Sequence, residues 1–151
     1  MANIANPRKQ FNFSIYAPGL NPLLAQKVTI PEVSIDVVEH GDTNYDVKTG
    51  GRKKIGTILI DQISPATGPD NWVETWMNQV QNEILGGGFL PSIYKRNLTI
   101  DEYSTDGVTI INQHECFGCW PSKRNGIELN RRGSDNTLKS IELQVDQVNK
   151  I

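Results

Sequence analysis

The densest cluster of reactive side chains is His114-Glu115-Cys116-Phe117-Gly118-Cys119. A Cys-x-x-Cys pair beside a histidine could ligate zinc, but a structural zinc site takes a fourth ligand, usually from a second Cys or His pair. The only other histidine, His40, lies in an unrelated context. A redox pair wants a helix N-terminus to lower its thiol pKa, whereas this one closes an apolar alternation and runs into Trp120-Pro121. Three readings stand: two small side chains at a strand end, a disulfide between subunits through Cys116 and Cys119, and a small metal or thiol module. Asp101-Glu102 is an adjacent carboxylate pair on a strand, so its members point to opposite faces, cannot share a substrate, and read as solvated charge. No Gly-x-Ser-x-Gly occurs, and Gly86-Gly87-Gly88 lacks the Lys-Ser/Thr continuation of a phosphate loop. Arg52-Lys53-Lys54 and Arg131-Arg132 are short and without interleaved aromatics, unlike a nucleic-acid site. The expectation is no enzyme, no cofactor and no metal.

The elements that position these residues read as mainly β. Residues 11–16 alternate Phe11, Phe13 and Ile15 with polar partners. Residues 27–39 read as one strand with Val33, Ile35 and Val37 on a buried face and Glu32, Ser34 and Asp36 on a polar one. Residues 41–51 read as a long polar loop with glycines at both ends, and residues 53–62 as the next strand. Residues 71–85 are the one good helix. Trp72, Trp76, Val80 and Ile84 repeat every fourth residue, Asn71 and Glu74 suggest a capping box, and Gly86 suggests the exit. Strands follow at 95–103 and 108–117, joined by the turn signal Asp106-Gly107, then a polar connection at 121–136 and a last strand from Lys139 through Val145. The expected fold is an antiparallel β-barrel or sandwich of about six strands with one flanking α-helix.

Composition sets the outer limits. The 151 residues suggest one domain, with a loose polar arm at 1–10. Apolar residues make up 37%, and the 13 glycines raise this to about 46%, inside the globular range. Fifteen basic against seventeen acidic residues do not make a general nucleic-acid binder. No apolar run is long enough to span a bilayer, and the first residues lack a signal-peptide core, so a soluble chain made in the cytosol is expected. The polar strand faces at Glu32, Ser34 and Asp36 and at Ser140, Glu142, Gln144 and Asp146 carry an acidic excess. That suits a structural protein whose sheet borders water or a polar channel.

The segment Trp120-Pro121-Ser122-Lys123, then Gly126, then Glu128-Leu129-Asn130, then Gly133, then Ile141-Glu142-Leu143 in a final strand, resembles the tail tube protein family of contractile-tailed phages. Phe11 to Ile15 is similar to that family's first strand, residues 33–58 to its central hairpin, and Trp72 to Trp76 to its helix. Gly86–Gly88 and the cysteine pair depart from the family's pattern. The resemblance implies hexameric rings stacked into a hollow tube, a virion tail component assembled in the host cytoplasm. It implies contacts with a tail sheath, with baseplate or initiator and terminator proteins, and with DNA that passes without specific binding, and no stable membrane association. It also implies that the hairpin loop, Asp42, Thr43, Asn44, Tyr45, Asp46, Val47, Lys48 and Thr49, reaches a neighbouring ring. The polar faces would line the lumen and repel phosphates. The alternative within the same fold is a tube subunit of a DNA-free injection device, pyocin-like or secretory.

Overall fold

The computed structural model describes residues 12–20, 24–41, 44–65, 70–82, 86–133 and 135–151. The expected arm at 1–10, the loop residues Asp42 and Thr43, and the helix residue Ile84 lie outside the described residues. Among the described residues, nine strands and two helices follow in the order β1 (Phe13–Tyr16), β2 (Ala25–Thr29), β3 (Val33–Gly41), β4 (Asp46–Ile55), β5 (Ile58–Ile63), α1 (Trp72–Val80), α2 (Pro91–Tyr94), β6 (Arg96–Tyr103), β7 (Ile110–Arg124), β8 (Leu138–Gln144) and β9 (Gln147–Lys150). The chain is mainly β with one substantial helix, as expected, but with more strands.

Seven strands form one antiparallel sheet in the order β1-β6-β7-β8-β5-β2, with β9 also on β7. The fifteen-residue β7 organises it. Its first half pairs with β6 and β9, and its second half pairs with β8. Both wings feed one core: Ile15, Leu98, Ile100 and Cys116 from one side, and Ile58, Ile60, Ile141 and Leu143 from the other. One shared core requires the sheet to curl over itself into an open barrel. The bend falls at Gly118, whose φ of +68 is the left-handed region that suits glycine. A Cβ there would collide with the Asp146 carboxylate.

Helix α1 closes the barrel by burying Val73 and Trp76. The Trp76 indole N–H donates to the Tyr94 carbonyl at 2.6 Å, and the Arg96 guanidinium lies 5.2 Å from the ring centre. The helix is shorter than its apolar period suggested, ending at Val80 with Gln81 as C-cap. Asn71 is the N-cap residue but makes no side-chain cap bond, so the capping box does not form. Glu74 is engaged elsewhere: it pairs with Lys139 at 3.0 Å and with Arg124 at 3.2 Å.

Besides the strand read over 53–62, which divides between β4 and β5 at Gly56-Thr57, three boundaries differ from the expectation. The strand read over 27–39 is two strands, broken at Pro31, which lacks the N–H a ladder needs. The polar loop read at 41–51 is mostly strand: β3 runs to Gly41 and β4 begins at Asp46. Third, residues 121–124 continue β7 instead of opening a connection. Strands β3 and β4 form a separate two-stranded ribbon, Val33 opposite Ile55 through Gly41 opposite Asp46. A ribbon exposed on both faces need not alternate apolar and polar residues, so Gly50, Gly51 and the lysines gave no period-two signal.

Candidate assembly surfaces

The ribbon overturns one expected burial. Val33, Ile35 and Val37 share a face as predicted, but they are 48%, 59% and 64% exposed. The barrel does not cover them, because β3 pairs only with β4. Around this apolar stripe the ribbon carries charge: Asp36 pairs with Lys54 at 3.3 Å, and Glu39 reaches Lys48 at 3.9 Å. Tyr45 and Val47, near the tip, are exposed too. Of the loop residues singled out above, Asn44 and Tyr45 lie in a bend just before β4, while Asp46, Val47, Lys48 and Thr49 lie in β4. The ribbon is anchored at its base, where the Gly56 N–H donates to the Glu32 carbonyl at 2.7 Å.

The residues expected to face the lumen lie on separate parts of the structure. Glu32, Ser34 and Asp36 belong to the ribbon and its base, whereas Ser140, Glu142 and Gln144 lie on the outward face of the main sheet. Asp146 belongs to neither, sitting at the β8–β9 corner where Lys95 donates to its carboxylate at 2.7 Å. That contact raises the Lys95 pKa. The outward sheet face forms a shallow groove with Lys27, Thr29, Leu59, Asp61, Lys123 and Glu142. The Ser140 hydroxyl donates to Asp61 at 2.8 Å, and the Gln144 amide donates to Ser122 at 3.1 Å. The acidic excess expected here is absent. Lys27 and Lys123 balance Asp61 and Glu142, because pairing brings β2 and β7 beside β5 and β8. Strand pairing between distant segments is invisible to a strand-by-strand polarity count.

The motif residues divide between sheet and connection. Trp120, Pro121, Ser122 and Lys123 lie in β7, with Pro121 buried against Leu143 and Trp120 edge-on to Tyr94 at 6.1 Å. Gly126, Glu128, Leu129, Asn130 and Gly133 belong to an irregular segment bordering an open depression, and Leu129 is 81% exposed. The cysteines differ from their strand-end reading. Cys116 and Cys119 are both fully buried, so a disulfide between subunits has no access to them. Among the described residues no cluster of three or more His, Cys, Asp and Glu side chains could hold a metal. Asp101 is not solvated either: it is 4% exposed, opposite Ser14 and Gln113, while Glu102 accepts from Asn112 on the other face.

Sequence reading missed a buried ionic lock between helix and sheet. Lys139, 2% exposed, donates to the Asp70 carbonyl at 3.0 Å and pairs with the Asp70 carboxylate at 3.2 Å, besides Glu74. Gln62 extends the network, donating to Asp70 at 3.0 Å and accepting from the Trp72 indole at 2.8 Å. Lys139 and Gln62 occupy inward strand positions, the one available signal that a polar network was to be found there.

β1, β2 and β9 are edge strands of the sheet, and among the described residues no strand pairs with their outer edges. Open edges, an exposed ribbon and a polar sheet face leave this β-barrel with surfaces that the described residues do not cover. The chain belongs to the T4-like virus tail tube protein gp19 family, whose model matches residues 9–149. It is similar to the tail tube protein gp19 of Enterobacteria phage T6, 24% identical over 136 residues that cover 89% of this chain and 77% of that protein. The tail tube protein gp19 of Enterobacteria phage T4 is similar to the same extent. Among solved structures, the fold resembles the sheath/tube terminator of an extracellular contractile injection system (PVC), with TM-score 0.80, 16% identity and 99% of both chains covered. The tube-terminating cap of the anti-feeding prophage gives TM-score 0.81 at 14% identity, covering 100% of this chain and 95% of that one. The PVC sheath-tube complex gives TM-score 0.76 at 18% identity, covering 96% and 91%.

Proposed function

We propose that this tail tube protein assembles as homohexameric rings, that the rings stack into a hollow tube inside a contractile sheath, and that the tube conveys the genome through its lumen. Its role is structural, not catalytic. The single observation that carries this reading is the ribbon, whose apolar stripe is about half exposed and matches what a neighbouring subunit would bury. The open edges of β1 and β2 support ring closure by strand pairing across subunits. The groove face with Asp61, Ser140 and Glu142 is the best lumenal surface, because it carries charged and hydroxyl side chains. A stack of rings has two unlike ends, which calls for an initiator or baseplate protein at one and a terminator at the other. The working site is the virion tail, assembled in the host cytoplasm. Among the described residues no helix is long and apolar enough to cross a membrane.

The charge balance of that groove favours a second reading, a tube subunit of an injection device without DNA, because a balanced lumen is not specialised against phosphates. The test of the main reading shortens the ribbon. Replacing residues 40–47 by Asn-Gly keeps the Glu39–Lys48 pair and supplies a two-residue turn. The shortened chain is expected to fold and not to extend tubes. Tubes of parental length would remove the ribbon from inter-ring contact.

A further inference from the structure

Cys116 and Cys119 stand three residues apart on β7, a spacing that sends side chains to opposite faces of a regular strand. This strand is not regular there. Leu98 pairs with Cys116 while Arg96 pairs with Cys119, so β7 carries one residue more than β6 between the two pairs. The extra residue restores the inward direction, and both side chains lie in the same core cluster with no exposure. Gly118, at φ +68, makes the corner between them. The corner is held from the far side as well. The Asp146 N–H donates to the Phe117 carbonyl at 3.0 Å, and the Asp146 carboxylate is tied to Lys95. Each thiol has the other as its strongest titrating neighbour: a hydrogen bond from Cys119 pulls the Cys116 pKa down, and the same partnership, with burial, pushes the Cys119 pKa up.

We propose that Cys116 and Cys119 are a redox-active dithiol that closes to an intrachain disulfide across the Gly118 corner. The oxidant is a small aliphatic disulfide such as oxidised glutathione, which reaches the pair while the chain folds, before the core covers both sulfurs. The Cys116 thiolate attacks one of its sulfurs, forming a mixed disulfide and releasing one thiolate. Cys119 then loses its proton and attacks the Cys116 sulfur, releasing the second thiolate. The protein loses two electrons and two protons, and the small disulfide becomes two thiols. The bridge stays within one subunit because neither sulfur reaches the surface. In a particle that leaves a reducing cytosol the pair would staple the strand shared by both wings of the barrel. That consequence rests on the tube reading; the disulfide does not.

The experiment equilibrates the full chain with reduced and oxidised glutathione, once folded after refolding in that buffer and once in guanidinium. Acid-quenched samples are read by intact mass. Refolding in the buffer removes burial as a kinetic barrier. The folded chain is expected to lose two hydrogens, and its dithiol–disulfide equilibrium constant to exceed that of the unfolded chain by about tenfold or more. A folded constant equal to or below the unfolded one would overturn the proposal, as would a persistent glutathione adduct or a disulfide-linked dimer. Cys119→Ser, oxidised in guanidinium and then refolded, is expected to keep glutathione on Cys116, and loss of the adduct from that variant would contradict Cys119 as the resolving thiol. These readouts need no polymer. Failure here leaves the tube reading intact, whereas a chain that oxidises as described yet never polymerises counts against the tube reading alone.

Discussion

Replacing Val33, Ile35 and Val37 together with threonine removes the ribbon's apolar stripe and keeps its β-branched shape. Fully burying such a side chain stabilises by about 1.5–3 kcal/mol. Roughly half of each is still exposed in the lone chain, at 48%, 59% and 64%. About 1 kcal/mol per residue therefore remains to be gained on assembly, or about 3 kcal/mol per subunit. At 1.4 kcal/mol per tenfold, the concentration at which tubes grow rises by roughly two orders of magnitude. The lone chain should scarcely notice, since exposed substitutions usually shift stability by within about 0.5 kcal/mol. Pelleting of polymer across a dilution series gives the critical concentration, and urea unfolding of the monomer gives the stability. A critical concentration within about threefold of the parent, at unchanged monomer stability, refutes the assembly role of the stripe. A monomer weakened by more than about 1 kcal/mol refutes the premise that the chain leaves these residues uncovered.

Lys139→Met takes the one cation from the Asp70 carboxylate, which keeps only the Gln62 amide, while Glu74 keeps Arg124; it should lower stability by about 3 kcal/mol, whereas Lys48→Ala, at an exposed pair, should stay within about 0.5 kcal/mol; chemical denaturation compares the two. Gly118→Ala forces a Cβ into left-handed backbone and against Asp146, so a loss of at least about 1–2 kcal/mol and a fall of several degrees in Tm are expected in calorimetry. Asp106 accepts hydrogen bonds from the Ser104 and Thr109 hydroxyls and from the Val108 and Thr109 amides, which hold its pKa well below the usual 3.8. A depressed folded pKa gives stability that is present above the unfolded value and lost as pH falls through the folded one. Amide exchange at Val108 and Thr109 should therefore stay slow at pH 4 and quicken only in stronger acid, and Asp106→Asn should abolish that transition. Asp61→Lys with Glu142→Lys turns the balanced groove wholly cationic; tubes should persist while DNA release slows in a salt-dependent way, and unchanged release kinetics would move the lumen to another face.

Local pattern carried the reading wherever one chain segment met one environment. The inward alternation of Ile141 and Leu143, the Asp106-Gly107 turn and the Val73–Trp76 helix face were all legible, because each side chain's surroundings follow from strand or helix period. The ribbon was not, because residues exposed on both faces obey no burial period, and Gly50-Gly51 imitates a loop. The site suffered from pairing at a distance. Ser140, Glu142 and Gln144 do share a face, but the lysines that neutralise it arrive from β2 and β7. Asp36 lies on another sheet and Asp146 at a corner, positions that polarity alone cannot separate from a common wall. The cysteines were read at a strand end, whereas β7 runs on to Arg124 and one extra residue beside Gly118 puts both thiols in the core.

Electron microscopy of the purified, concentrated chain tests the central claim most directly. Hollow tubes built of stacked rings, with six-fold end views, are the predicted result. A chain that stays monomeric at concentrations well above those of an assembling relative would contradict it.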